Sequence, residues 1–167
     1  MRLQDVEAIL RALNDANVRY LIVGGLAVVA HGYVRATVDI DIVLNLQRDN
    51  VIRAMAALNA IGYQPLVPVD SAHFADEKTR DHWVKNKHMI VFQMRHSDAD
   101  STRLDIFVEE PFDFAEEFSK AKWDNVAGID CPILRLEQLL RMKRDSRRPQ
   151  DLADVAELQL IRENRQS

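Results

Sequence analysis

The chain has 167 residues, 47% of them hydrophobic and 29% charged, with a formal net charge of -4 and one cysteine, Cys131. This length and composition predict one folded, soluble domain and exclude disordered, collagen-like and coiled-coil chains. The negative balance argues against a protein held to nucleic acid by bulk positive charge, and a lone cysteine fits a reducing compartment.

In chain order, Val6, Ile9, Leu10 and Leu13 recur at helical spacing and predict a helix over Gln4–Ala16. Asp5 and Glu7 interrupt the N-terminus before a signal-peptide core can form. The apolar run Tyr20–Ala30 is too short to span a membrane, so the expected location is the cytoplasm. Arg19–Val23 reads as a buried strand, followed at once by Gly24-Gly25 and a short buried helix over Leu26–His31. Val38–Leu44 alternates, which predicts a strand with Val38, Ile40 and Ile42 in the core and Asp39 and Asp41 on the other face. A second amphipathic helix is expected over Asp49–Ile61, closed by Gly62.

The stretch Gln64–Lys87 is the least legible, with one short helix as its only candidate element. Met89–Met94 and Arg103–Val108 read as strands joined by a polar turn, hence a hairpin. Helices follow over Phe112–Ala121, Leu136–Arg144 and Pro149–Asn164, with a last strand at Ile129–Leu134. The order is not a regular β-α-β alternation. It predicts an α+β protein: a mixed sheet flanked by helices, with a core at 1–110 and a helical C-terminal part at 111–167, all one domain.

The informative chemistry lies in three carboxylates. Residues i and i+2 on a strand share a face, so Asp39 and Asp41 project together. Two adjacent like charges repel, and a fold accepts that cost where a cation sits between them; hard oxygen ligands suit Mg²⁺, with Mn²⁺ as the alternative. Asp105, between Leu104 and Ile106, could join them from a neighbouring strand. Three such acids can hold two metal ions for phosphoryl chemistry. The Gly24-Gly25 turn between strand and helix can present backbone N–H groups to phosphate.

The run VGGLAVVAHGYVRATVDIDIVL resembles the signature of the nucleotidyltransferase superfamily related to DNA polymerase β: apolar residue, Gly-Gly, thirteen residues, then Asp39-Ile40-Asp41-Ile42. Asp105 in RLDIFV matches that family's third carboxylate. The wider pattern GG-x-A-x3-HG-x2-R-x-T-x-DID and the tail Lys143–Leu158 look closer to a small bacterial branch that includes AbiEii-type toxins.

The resemblance implies attack of a hydroxyl on the α-phosphate of an NTP. Asp39 and Asp41 would hold metal, and Asp105 would share it and help deprotonate the acceptor. Gly24 and Gly25 would bind phosphate, and Arg35, Lys143 and Arg148 are candidate nucleotide contacts. Arg35 could otherwise be solvated, and the basic cluster at Arg141–Arg148 could simply be a charged helix end. Asp151 and Asp154 read mainly as caps of the last helix that could also pair with the basic cluster. His31 reads as structural. Trp83 and Trp123 read as core residues or base-stacking platforms. His73, His82 and His88 have no zinc-like spacing with Cys131. The acceptor stays open among RNA, protein and small molecule, with a toxin–antitoxin setting and a protein partner as options. The rival expectation is an inactive domain of the same fold that binds a nucleotide or a protein.

Overall fold

The computed structural model describes residues 1–166, without the side chains of 165 and 166. Seven strands form one mixed sheet in the order β3-β4-β5-β2-β1-β7-β6. In chain order these are β1 (Tyr20–Val23), β2 (Asp39–Leu44), β3 (Tyr63–Pro65), β4 (Val91–His96), β5 (Arg103–Phe107), β6 (Lys122–Val126) and β7 (Ile129–Ile133). The helices are α1 (Leu3–Asp15), α2 (Gly24–Ala30), α3 (Arg48–Ala60), α4 (Glu77–Lys87), α5 (Phe114–Ser119), α6 (Leu136–Ser146) and α7 (Pro149–Gln166), with a 3-10 turn at Ser71–Ala75.

β1 is buried throughout, as its run of apolar residues requires of a central strand. It pairs antiparallel with β2 and parallel with β7. β2 in turn runs parallel to β5, with Asp39 opposite Arg103 and Asp41 opposite Asp105. β4 and β5 form the expected antiparallel hairpin. Ile40, Ile42, Leu104 and Ile106 are fully buried and point away from the acids, into a core shared with Val6, Ile9, Leu10 and Leu13 of α1 and Val51 and Leu58 of α3. Deleting one such buried aliphatic side chain costs about 2–5 kcal/mol.

Four expectations need correction. Val38 lies outside β2 and is 69% exposed, so it anchors nothing in the core. The short helix after β1 begins at Gly24 itself rather than at Leu26. The illegible stretch holds an edge strand, β3, and the eleven-residue helix α4. β6, an outer strand with largely exposed residues, is also present beyond those expected. Trp83 packs in the core, stacked on Phe92 at 5.4 Å between ring centroids, whereas Trp123 is largely exposed. His31 is buried, with Nε2 at 2.8 Å from the Leu134 carbonyl oxygen, as a structural histidine should be.

Candidate active site

The alternation of β2 and the register of β5 put Asp39, Asp41 and Asp105 on one face of the two central strands. Arg103 belongs to the same face. Its position two residues before Asp105 follows the same rule that pairs Asp39 with Asp41. Its guanidinium donates to both flanking acids, with Nη2 at 2.6 Å from Asp39 Oδ2 and Nε at 3.1 Å from Asp105 Oδ1. Gln93, opposite Asp105 on β4, reaches the other Asp105 oxygen at 3.4 Å. Sequence reasoning missed Arg103 and Gln93, although the R-x-D alternation was sufficient to place the first.

Among the described residues, no cation is bonded to Asp41 in this way. Burial, then the charges of Asp39 and Asp105, push its carboxyl up to about 6, against a bond from the Gly25 N–H and the more distant Lys143. Burial also raises the Asp105 carboxyl, against the pull of Arg103 and Gln93. Three carboxylates with one bonded cation are short of positive charge, and their donor atoms are hard oxygens. A divalent cation therefore fits here in chemistry and in sign. Among the described residues, no three His, Cys, Asp or Glu stand ready to hold a metal as they are. Arg103 provides the bridging positive charge, and a metal contacting all three acids would have to displace its guanidinium.

The glycines are required for reasons of space. Gly24 has φ +59, and a Cβ on it would lie 1.9 Å from Asp41 Oδ2. A Cβ on Gly25 would lie 2.5 Å from Thr37 Oγ1. The turn thus lets the backbone pass directly against Asp41. The Gly25 N–H, expected to face phosphate, is committed to the Asp41 carboxylate.

A second charged cluster borders the first. Lys143 on α6 is buried, with Nζ at 2.7 Å from both Asp151 and Asp154 of α7. Asp151 also accepts from Ser146 and Arg148. Burial alone would raise the Asp151 carboxyl, yet the bonds from Lys143, Ser146 and Arg148 hold it below its ordinary value. Arg35 pairs with Asp154 through Nε at 2.7 Å and Nη2 at 2.9 Å. Of the two roles expected for Asp151 and Asp154, the structure shows the pairing with the basic cluster: they are buried ion-pair partners rather than mainly caps. It also changes the parts played by Arg35 and Lys143, whose charges are spent on α7. Both still line the cleft beside the carboxylates, as does Arg148.

Two clefts meet at Asp41 and Asp105. One is polar and lined by Gly24, Gly25, Arg35, Thr37, Gln93 and Arg103. The other has Ile90, Phe107, Leu139 and Met142 in its wall.

This fold is that of a nucleotidyltransferase. The sequence model of the aminoglycoside-2''-adenylyltransferase family matches residues 5–158. The chain belongs to that family, which supports the superfamily rather than the AbiEii-type branch, and it is therefore a nucleotidyltransferase enzyme. No curated protein matches the sequence.

Among solved structures, the lincomycin-bound lincosamide antibiotic adenylyltransferase LnuA is similar at a TM-score of 0.63 and 20% identity, covering 95% of this chain and 96% of that one. ANT(2'')-Ia in complex with adenylyl-2''-tobramycin is similar at 0.57 and 14% identity, covering 97% and 95%. An antigenic nucleotidyltransferase-like protein from Paracoccidioides brasiliensis is similar at 0.56 and 17% identity, covering 93% and 74%. At these identities the likeness establishes the fold alone. Among the described residues, no helix is long and apolar enough to cross a membrane.

Proposed function

We propose that the chain transfers a nucleoside monophosphate, AMP by the family's name, from an NTP to a hydroxyl of a small molecule. The observation that carries this reading is the register of β2 on β5, which sets Asp41 beside Asp105 with Asp39 one step away. The names of the relatives, acting on lincosamide and aminoglycoside antibiotics, favour a small-molecule acceptor over RNA or protein. Nothing in the fold or the family supports a toxin–antitoxin setting. The site draws on both parts of one domain, with the acids in its sheet and Lys143 and Asp151 in its C-terminal helices.

Asp39 and Asp41, with Asp105, would hold Mg²⁺ once Arg103 has moved aside. The metal, when bound, supplies charge neutralisation at the phosphates. The chain's own residues do the rest. The Gly24-Gly25 turn allows close backbone approach of the triphosphate to Asp41. Asp105 accepts the proton of the acceptor hydroxyl as general base. The hydroxyl oxygen forms a bond to the α-phosphorus while the bond to pyrophosphate breaks. Lys143 fixes α7 against this face and adds positive charge near Asp41.

The test is incubation with each α-labelled NTP, Mg²⁺ and a panel of hydroxyl-bearing small molecules. Metal-dependent transfer of label to one of them is expected. The inactive-domain reading requires that no label move while nucleotide still binds.

A further inference from the structure

The order of strands across the sheet gives the site a direction. The Gly24 turn ends β1, Asp39 and Asp41 lie on β2, Asp105 on β5, and Val91 and Gln93 on β4. Phosphoryl transfer keeps the attacking and leaving oxygens roughly in line. With the triphosphate against the Gly24 turn, pyrophosphate departs on the β1 side. The attacking hydroxyl must then approach over β5 and β4, where it meets Asp105.

On that side Gln93 and Arg103 line the polar cleft, and beyond them, toward the end of β5, the walls are apolar. Val91 and Phe107 are cross-strand partners, and Phe107 lies two residues beyond Asp105 on the same face. Ile90, 70% exposed, precedes them, and Leu139 and Met142 of α6 close the opposite wall. The cleft measures about 490 Å³, a size suited to a drug-sized molecule. The carboxylates in its wall are Asp41 and Asp105, which the transfer uses, and Asp151, whose oxygens are taken by Lys143, Ser146 and Arg148. Lys143 and Arg148 also line it, both already paired with Asp151. Among the described lining residues, no other acid stands ready to pair with a cationic ligand. A polycationic molecule would lose its hydration here without gaining partners.

We infer that the acceptor is a hydroxyl compound with an apolar body and few positive charges, not a polycationic aminosugar, seated between Phe107 and Met142 with its hydroxyl at Asp105. This rests on the nucleotidyltransferase reading above. The balance of the step is simple: the acceptor O–H proton passes to Asp105, the oxygen bonds to the α-phosphorus, and pyrophosphate leaves with the electrons of the broken P–O bond.

The experiment compares two probes with α-labelled ATP and Mg²⁺. Lincomycin carries a single amine, an alkyl chain and ring hydroxyls; tobramycin is a polycation. Lincomycin should be labelled with a kcat/KM at least about tenfold above that of tobramycin. Ile90→Glu should raise the KM for lincomycin by about tenfold and leave the Kd of a non-hydrolysable ATP analogue unchanged, because the new charge meets only the acceptor. A preference for tobramycin, absence of label on lincomycin, or a weakened ATP analogue in Ile90→Glu would each overturn the inference, the last because the apolar cleft would then hold the base. Failure of the wild-type chain to bind the ATP analogue with Mn²⁺ would instead count against the nucleotidyltransferase reading beneath it.

Discussion

Two clusters of charge lie side by side on one face of the sheet, and they are built on opposite terms. Around Lys143, two carboxylates meet three cations, and every oxygen of Asp151 and Asp154 lies 2.7 Å from a cationic nitrogen. Around Asp41, three carboxylates meet one guanidinium among the described residues, that of Arg103, and Asp41 itself is unpaired, its carboxyl raised to about 6 by burial and by the charges of Asp39 and Asp105. A balanced buried cluster works as a clamp, and its members are costly to remove singly. An unbalanced one stores repulsion that a bound cation relieves. Both clusters combine Asp carboxylates with basic side chains, so the ratio of charges, and not their presence, tells the clamp from the proposed reactive site.

The largest expected effect is on chemistry. Asp105→Asn removes the proposed base but leaves Asp39 and Asp41. Transfer should fall by about 10²–10⁴-fold, the range for losing a general base. Binding of an ATP analogue should survive, and single-turnover kinetics beside calorimetry separate the two. Equal loss of both would make Asp105 a binding residue.

Next comes the clamp. Lys143→Met leaves Asp151 and Asp154 buried with one partner fewer each, which should cost about 3–5 kcal/mol. For a chain of this size the melting temperature should drop by roughly 10 °C. A melting temperature within a degree or two of wild type would show that the cluster is not a clamp.

The same kind of change in the other cluster should have the opposite sign. Asp41 has a folded-state pKa of about 6, above the ordinary 3.8, so the folded protein binds the extra proton between those values. Stability from this group is therefore present at low pH and is lost as pH rises through about 6. Asp41→Asn removes that loss and should stabilise the metal-free protein at pH 7.5 by at most about 3 kcal/mol. The gain should vanish near pH 4. Urea unfolding at both pH values checks it, and destabilisation at pH 7.5 would place Asp41 in a compensated site.

The smallest effect belongs to Arg103. It is 40% exposed, so its charge is partly screened. Arg103→Met should lower the melting temperature in EDTA, because the acids lose the one cation bonded to them among the described residues. It should also tighten Mn²⁺ binding by about tenfold, because a competing charge is gone. Unchanged Mn²⁺ affinity would separate Arg103 from the metal site.

Much of this was legible in the sequence where burial was two-sided or alternation strict. β1, β2, β5 and α1 carry such patterns, and the acids on β2 and β5 follow from them directly. β3 and β6 did not show, because edge strands bury little and Tyr63–Pro65 and Lys122–Val126 present mixed or exposed side chains. α4 buries only Arg80 and Trp83, too few to impose a helical period. Lys143 and Arg35 looked like phosphate ligands because their partners, Asp151 and Asp154, are brought to them only by the packing of α7. No local pattern carries that. Val38 was misplaced because alternation continues past the end of the strand it suggests.

The central claim is that the deficit of positive charge around Asp41 is filled by a divalent cation that brings nucleotide with it. Calorimetric titration of Mn²⁺ with a non-hydrolysable ATP analogue into wild type and Asp41→Asn tests it most directly. The account predicts metal-dependent binding of the analogue to wild type and its loss in a stably folded Asp41→Asn. Equal binding by both proteins, or analogue binding to wild type that ignores the metal, would contradict it.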